Sequence, residues 1–192
     1  MMSDYFDLLK KRRSIRDFED RDVSLEVVHE IIRESCLAPS SMNGQTWRFI
    51  VIMERDLIRR LSDESKKNTL EQIMEESDSP RKGLISSLKD EEFNVYYNAP
   101  CLVFIAGIKS SFRRIEDCSL AACYFMFSAA ARGLGTCWIG LGQNIQDPDL
   151  RRIIGLPDNH EIVAPLILGH PRRIPATPRR EPRILKTILS QV

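Results

Sequence analysis

No apolar run in this 192-residue chain reaches the roughly 20 residues needed to cross a bilayer as a helix, so a helical membrane span is excluded. Histidine is scarce, at three, and no histidine lies near a cysteine in sequence. The five cysteines, at 36, 101, 118, 123 and 137, are odd in number and contain no Cys-x-x-Cys pair, which argues against both a zinc site and a disulfide framework. Cys101 and Cys137 sit in apolar runs and read as buried thiols acting as small hydrophobes. Phosphate loops of the usual kinds are also missing. After Gly133 and Gly135 the third glycine of a dinucleotide fingerprint is replaced by Trp138, and no Gly-Lys-Ser/Thr sequence occurs. No serine stands in a Gly-x-Ser-x-Gly elbow. His29 falls on a helix, and His160 and His170 fall in loop-like stretches, where surface roles are expected. The first residues, Met1-Met2-Ser3-Asp4-Tyr5, turn charged by Lys10 without an apolar stretch and cleavage site, so cytoplasm is the expected location.

What is present is the composition of one globular domain over residues 1–192, 43% hydrophobic and 29% charged, with a net charge of +1. The charge is unevenly spread. Residues 10–16 hold five basic side chains, and Arg172, Arg173, Arg179, Arg180, Arg183 and Lys186 oppose a single acid, Glu181. Residues 63–92 lean acidic. A nucleic-acid binder more often carries one broad basic stripe with exposed aromatics beside it, whereas Trp47 and Trp138 lie in apolar runs. Two compact cationic clusters suit small anions, and nucleic acid is not an expected partner.

Apolar periodicity predicts a short helix over 3–11 with Ser3 as its N-cap, then a helix capped by Ser24 in which Leu25, Val28, Ile31 and Ile32 recur, stopping before Pro39. Residues 47–53 predict a buried strand. Residues 54–98 are polar and helix-prone, broken at Ser79-Pro80, and read as a variable cover or insertion. A second central strand follows Pro100. Residues 118–132, with alanines at 121, 122, 129, 130 and 131, predict a helix apolar around most of its circumference, ended by Gly133 in a left-handed cap. Residues 137–141 predict a strand or extended turn, Asp147-Pro148 starts a short helix, and 161–169 form the last strand, with Pro165 marking an edge or a bulge. Strand and helix do not alternate regularly, so the fold class is α+β, a central mixed or antiparallel sheet flanked by helices.

Three stretches carry chemistry. In Lys11-Arg12-Arg13-Ser14-Ile15-Arg16, extended backbone would place Arg12, Ser14 and Arg16 on one side, where guanidinium forks grip phosphate oxygens; a solvated helix end is the alternative. Pro39-Ser40-Ser41 and Asn43-Gly44-Gln45 pack small donors and acceptors before a strand, as a ring edge read by hydrogen bonds requires, or as an ordinary turn does. Gly140 could aim a backbone amide at a ligand with no side chain in the way.

In that order and spacing these stretches, with the Gly133-Leu134-Gly135-Thr136-Cys137-Trp138-Ile139-Gly140 exit and the late Leu168-Gly169-His170-Pro171, resemble the FMN-dependent nitroreductase family over nearly the whole chain except about 54–98. The resemblance implies an intertwined homodimer with FMN at the subunit interface, reduced by NADH or NADPH and reoxidised by a small-molecule acceptor such as a nitro compound or quinone in a ping-pong cycle. It implies that Arg12, Ser14, Arg179 and Arg180 hold the phosphate and ribityl chain, with backbone contacts from Arg13. Arg16 would lie beside the pyrimidine, where its charge favours the reduced anion. Pro39, Ser40 and Ser41 would reach the cofactor of the opposite subunit, Asn43 and Gln45 would shape the ring pocket, and Ile139 and Gly140 would offer a backbone donor. Chemistry would belong to the flavin, with no catalytic side chain and no metal. A reductive dehalogenase, a flavin-fragmenting enzyme and a non-catalytic flavin binder are the alternatives. Thr46 departs from the family pattern, which has proline before the tryptophan.

Overall fold

The computed structural model describes residues 5–76 and 78–188; Ser3, expected as a helix cap, lies outside them. The chain runs α1 (Tyr5–Lys11), α2 (Leu25–Ser35), β1 (Trp47–Ile52), α3 (Arg55–Glu75), α4 (Ile85–Lys89), β2 (Cys101–Ile108), α5 (Arg114–Ala131), β3 (Gly135–Trp138), α6 (Pro148–Ile153) and β4 (His160–Gly169). The four strands form one sheet in the order β1-β2-β4-β3, and every pairing is antiparallel. The mixed-sheet alternative survives only as an isolated parallel bridge between Ser14 and Thr136.

Both faces of the sheet are covered, which is why β2 and β4 are nearly continuous apolar runs. Period-two alternation sends Leu102, Phe104, Ala106, Cys137 and Ile167 toward α3 and α6, where Ile58, Leu61, Tyr96, Leu150 and Ile154 meet them. Val103, Ile105, Leu166 and Leu168 face the other way, onto α2 and α5 through Val28, Ile31, Ala121, Ala122 and Phe125. The result is a sheet between two helical layers. Residues 54–98 are an integral wall of it: Ile58, Leu61, Ile73, Leu88 and Tyr96 are buried, and the Tyr96 hydroxyl donates to the Gly142 carbonyl at 2.7 Å.

Several sequence expectations need correction. β1 is an edge strand, so only Trp47 and Ile52 are buried and Arg48 faces solvent. Pro165 sits in a central strand, paired in register with Phe104, so it marks no edge; the bulge falls two residues away at Val163, between Ala164 opposite Ile105 and Ile162 opposite Ala106. β3 begins and ends earlier than expected, because residues 140–143 curl into a 3-10 turn. His160 is buried at the start of β4 rather than exposed, its Nδ1 2.7 Å from the Asn159 amide oxygen and its Nε2 without a partner. Gly133 does adopt the left-handed conformation, at φ 74°.

α5 is apolar on more than its inner side: Ile115, Leu120 and Tyr124 are exposed at 55%, 40% and 41%. α1 buries no residue and exposes Tyr5, Phe6 and Leu9. No helix among the described residues is long and apolar enough to cross a membrane.

Glu34 of α2 joins α5 through Arg132, with Nη2 2.6 Å from Oε1 and Nη1 2.8 Å from Oε2, and accepts from the Ser128 hydroxyl. The bonds from Arg132 and Ser128 lower the Glu34 carboxyl from the ordinary 4.5 to about 2. A depressed folded-state value means the pair stabilises fully above pH 4.5 and loses its contribution as pH falls toward 2. Glu34 is 45% exposed, so solvent screening holds the contribution to about 1 kcal/mol. Glu34→Gln is therefore expected to cost about 1 kcal/mol in urea unfolding at pH 7, with the gap closing as pH approaches 2. A gap that stays constant with pH would remove the ion pair as its source.

Candidate functional site

The segment leaving α1 is held against β3. The Ile15 amide donates to the Thr136 carbonyl at 2.9 Å, and the Ile15 side chain, 3% exposed, packs onto Gly135. With Ile15 inside, Ser14 and Arg16 are exposed; Arg12 and Arg16 border separate cavities, Arg16's lined by Phe93 and Tyr97. Their common neighbour is Cys137: burial raises its thiol, while Arg16, a hydrogen bond with Ser14, and Arg12 pull it back down. The Arg16 guanidinium stands 5.7 Å from the Tyr97 ring centroid and that of Arg12 stands 6.0 Å from Phe127. Neither has a carboxylate partner among the described residues.

Arg13 lies beside Arg12. Its Nε is sealed from solvent without a hydrogen-bond partner, and its side chain lines a cavity of about 620 Å³. Lys10, Lys11, Arg12 and Arg13 border this cavity together with residues 133–136 and 174–177, and no carboxylate does. The late basic stretch is brought back here: Phe18 bridges Pro171, Arg172 pairs with Asp17 at 3.2 Å, and the Thr177 hydroxyl donates to the Lys10 carbonyl at 3.4 Å. Arg179 and Arg180 follow in sequence and are exposed; Arg179 pairs with Glu181, and neither lines the cavity. At the end of β3 the Ile139 amide is committed to the Pro165 carbonyl at 2.9 Å, which leaves the donor role to Gly140. Nothing lies within 4 Å of where a Gly140 Cβ would stand, so a planar ligand could approach that backbone.

Pro39, Ser40, Ser41, Asn43 and Gln45 are elsewhere. They precede β1 at the Trp47–Gly107 end of the sheet, whereas Ser14 adjoins β3 at the Thr136–Leu168 end. Three strand spacings across and six residues along put the two groups about 25 Å apart. Their loop is rigidly specified. Met42, Asn43 and Gln45 hold φ of 51°, 53° and 45°, a region costly for residues with a Cβ. The Gln45 amide donates to Ser40 Oγ at 3.1 Å, and Gln45 Nε2 donates to the Asn43 side-chain oxygen at 3.1 Å.

Sequence reasoning missed three residues. Asp117, 2% exposed, accepts the Ser41 amide at 2.9 Å and the Thr46 hydroxyl at 3.3 Å, bracketing the loop. Its signal was weak, since it follows Glu116 in a helix's first turn, where acids are ordinary. Thr46, noted only as a departure, supplies a hydroxyl that proline could not. Tyr97, at φ 54°, carries the ring beneath Arg16 and had no signal of its own. No group of His, Cys, Asp and Glu among the described residues is arranged to hold a metal ion.

A crystallised nitroreductase from Bacteroides fragilis with bound FMN superposes with a TM-score of 0.81, covering 98% of this chain and all of that one at 22% identity. An Archaeoglobus fulgidus protein provisionally named NADH dehydrogenase/NAD(P)H nitroreductase is 27% identical over 172 residues, spanning 89% of this chain and 87% of its own. The iodotyrosine deiodinase of Thermotoga neapolitana is 27% identical over 177 residues, spanning 86% and 88%. The model of the Nitroreductase family matches residues 9–170, a span that takes in the arginine turn, the strained loop, α5 with its glycine exit and all four strands, and the chain belongs to that family.

Proposed function

We propose that the protein holds FMN between two copies of the chain and passes hydride from NADH or NADPH to a small electrophile such as a nitro compound or quinone. The observation that carries this reading is the cavity bordered by four cations and no carboxylate, beside the glycine-rich exit of α5. Bound FMN would supply the redox chemistry. Arg12 and Ser14 would hold the phosphate and ribityl end, with Arg179 and Arg180 closing over it from the late stretch. Arg16, with no carboxylate partner, would place its charge by the pyrimidine, and the Gly140 amide would face the ring. A loop about 25 Å from its own chain's arginine turn can contribute to such a site only in another copy. The exposed apolar side chains of α1 and α5 give that copy a surface to cover.

The kinship with iodotyrosine deiodinase favours reductive dehalogenation as a second reading of the same site. One set of measurements separates the readings. The purified protein is expected to be yellow, to release FMN on denaturation, and to oxidise reduced nicotinamide with a nitro or quinone acceptor, giving parallel double-reciprocal lines. Slow anaerobic bleaching by nicotinamide with turnover of a halophenol would favour the second reading. Tight FMN retention with no acceptor reduced would leave a binding protein, and a colourless protein that refuses added FMN would defeat all of these.

A further inference from the structure

We propose that Asp117 is a positioning residue that keeps the 40–46 loop in the shape needed by the cofactor site of a second copy; this rests on the function proposed above. Three observations converge on it. The carboxylate is 2% exposed, a costly place for a charge unless its oxygens are used. Both are used, and on the same loop: Oδ1 takes the Ser41 amide and Oδ2 the Thr46 hydroxyl. Between those anchors stand three residues with side chains in the left-handed region, a conformation that persists only where its surroundings over-determine it.

The loop's own bonds do not suffice for this. Ser40 to Gln45 and Asn43 to Gln45 tie the turn to itself, but among the described residues only Asp117 ties it by hydrogen bonds to a core helix. Met42, Asn43 and Gln45 remain exposed, so the shape is preset while its outer surface stays free to meet a ligand. α5 supplies the lever. At 18 residues it is about 27 Å long, matching the separation between the loop and the arginine turn. Its first turn carries Asp117 and its exit carries the glycine-rich strand, so one rigid helix fixes what the chain offers to both sites.

The test uses full-length protein with and without FMN. Asp117→Ala is expected to raise amide exchange across residues 40–46 and FMN dissociation by about tenfold each, the loss of charge-assisted anchors. Asp117→Asn can still accept from the Ser41 amide and donate to the Thr46 hydroxyl, so it is expected to stay within about threefold of the parent. Unchanged exchange in Asp117→Ala, or equal losses in Asp117→Asn and Asp117→Ala, would overturn the assignment. Should Asp117→Ala not fold, Thr46→Val decides: about threefold faster FMN release at an unaltered melting temperature supports the role, and an unaltered release rate refutes it. A parent protein that binds no FMN refutes the functional reading instead, and loop exchange alone then decides whether Asp117 sets the loop.

Discussion

Arg12→Ala is expected to weaken FMN binding about thirtyfold and to shift the melting temperature of the apoprotein by about 2 °C or less. The asymmetry follows from what Arg12 touches. Its guanidinium faces the Phe127 ring at 6.0 Å and has no carboxylate partner among the described residues, so truncation removes a cation–π contact of about 0.5 kcal/mol from the folded chain. Against a phosphate the same group makes charge-assisted bonds, and losing them costs about 2 kcal/mol of binding. Lys10, Lys11 and Arg13 remain around the cavity, which is why binding weakens rather than disappears. Fluorescence titration of the apoprotein with FMN measures the first quantity and thermal unfolding the second. Equal FMN affinity in parent and variant would take the phosphate role away from Arg12.

The parts of this site that sequence made legible are those where local chemistry and local geometry coincide. Alternation along an extended segment set Ser14 and Arg16 apart from Ile15, which is buried, although Arg12 and Arg16 border separate cavities. Gly133 was legible because a helix exit with φ of 74° has a residue preference of its own. Long-range placement left no such trace. β1 reads as buried because its side chains are apolar, yet edge or centre is decided by strand order, which no residue of β1 encodes. Pro165 signalled an edge or a bulge, yet it is paired in a central strand and the bulge lies two residues away at Val163. Asp117 acts on residues 71 and 76 positions away in sequence, so its purpose was invisible until the loop and the helix stood together. Arg179 and Arg180 were assigned by resemblance alone, and in the single chain they stop just outside the cavity that residues 174–177 reach.

Gly135→Ala is expected to couple stability to cofactor affinity where Arg12→Ala separates them. A Cβ at position 135 would stand 2.7 Å from Ile15 Cγ1, 2.8 Å from Ile15 Cβ and 2.9 Å from Ile15 Cγ2. The Cβ of Ile15 is fixed to its backbone, so a rotamer change cannot relieve the contact; the segment itself must retreat from β3. Overpacking of this kind costs about 2 kcal/mol, or about 6 °C in melting temperature for a chain of this size. That retreat strains the bond from the Ile15 amide to Thr136 and carries Arg12, Ser14 and Arg16 off their positions together. Because three ligand groups move at once, FMN affinity should fall about a hundredfold, further than the loss of any one of them. Ile15→Ala on the same background removes both γ carbons from the clash, so the double variant should be destabilised by less than the sum of the two single changes. Strict additivity would show that the glycine is not there to admit Ile15. Gly140→Ala is the contrasting case, since its Cβ meets nothing within 4 Å: the apoprotein should melt unchanged while FMN binds less well, because the only thing a methyl group there can meet is the ligand.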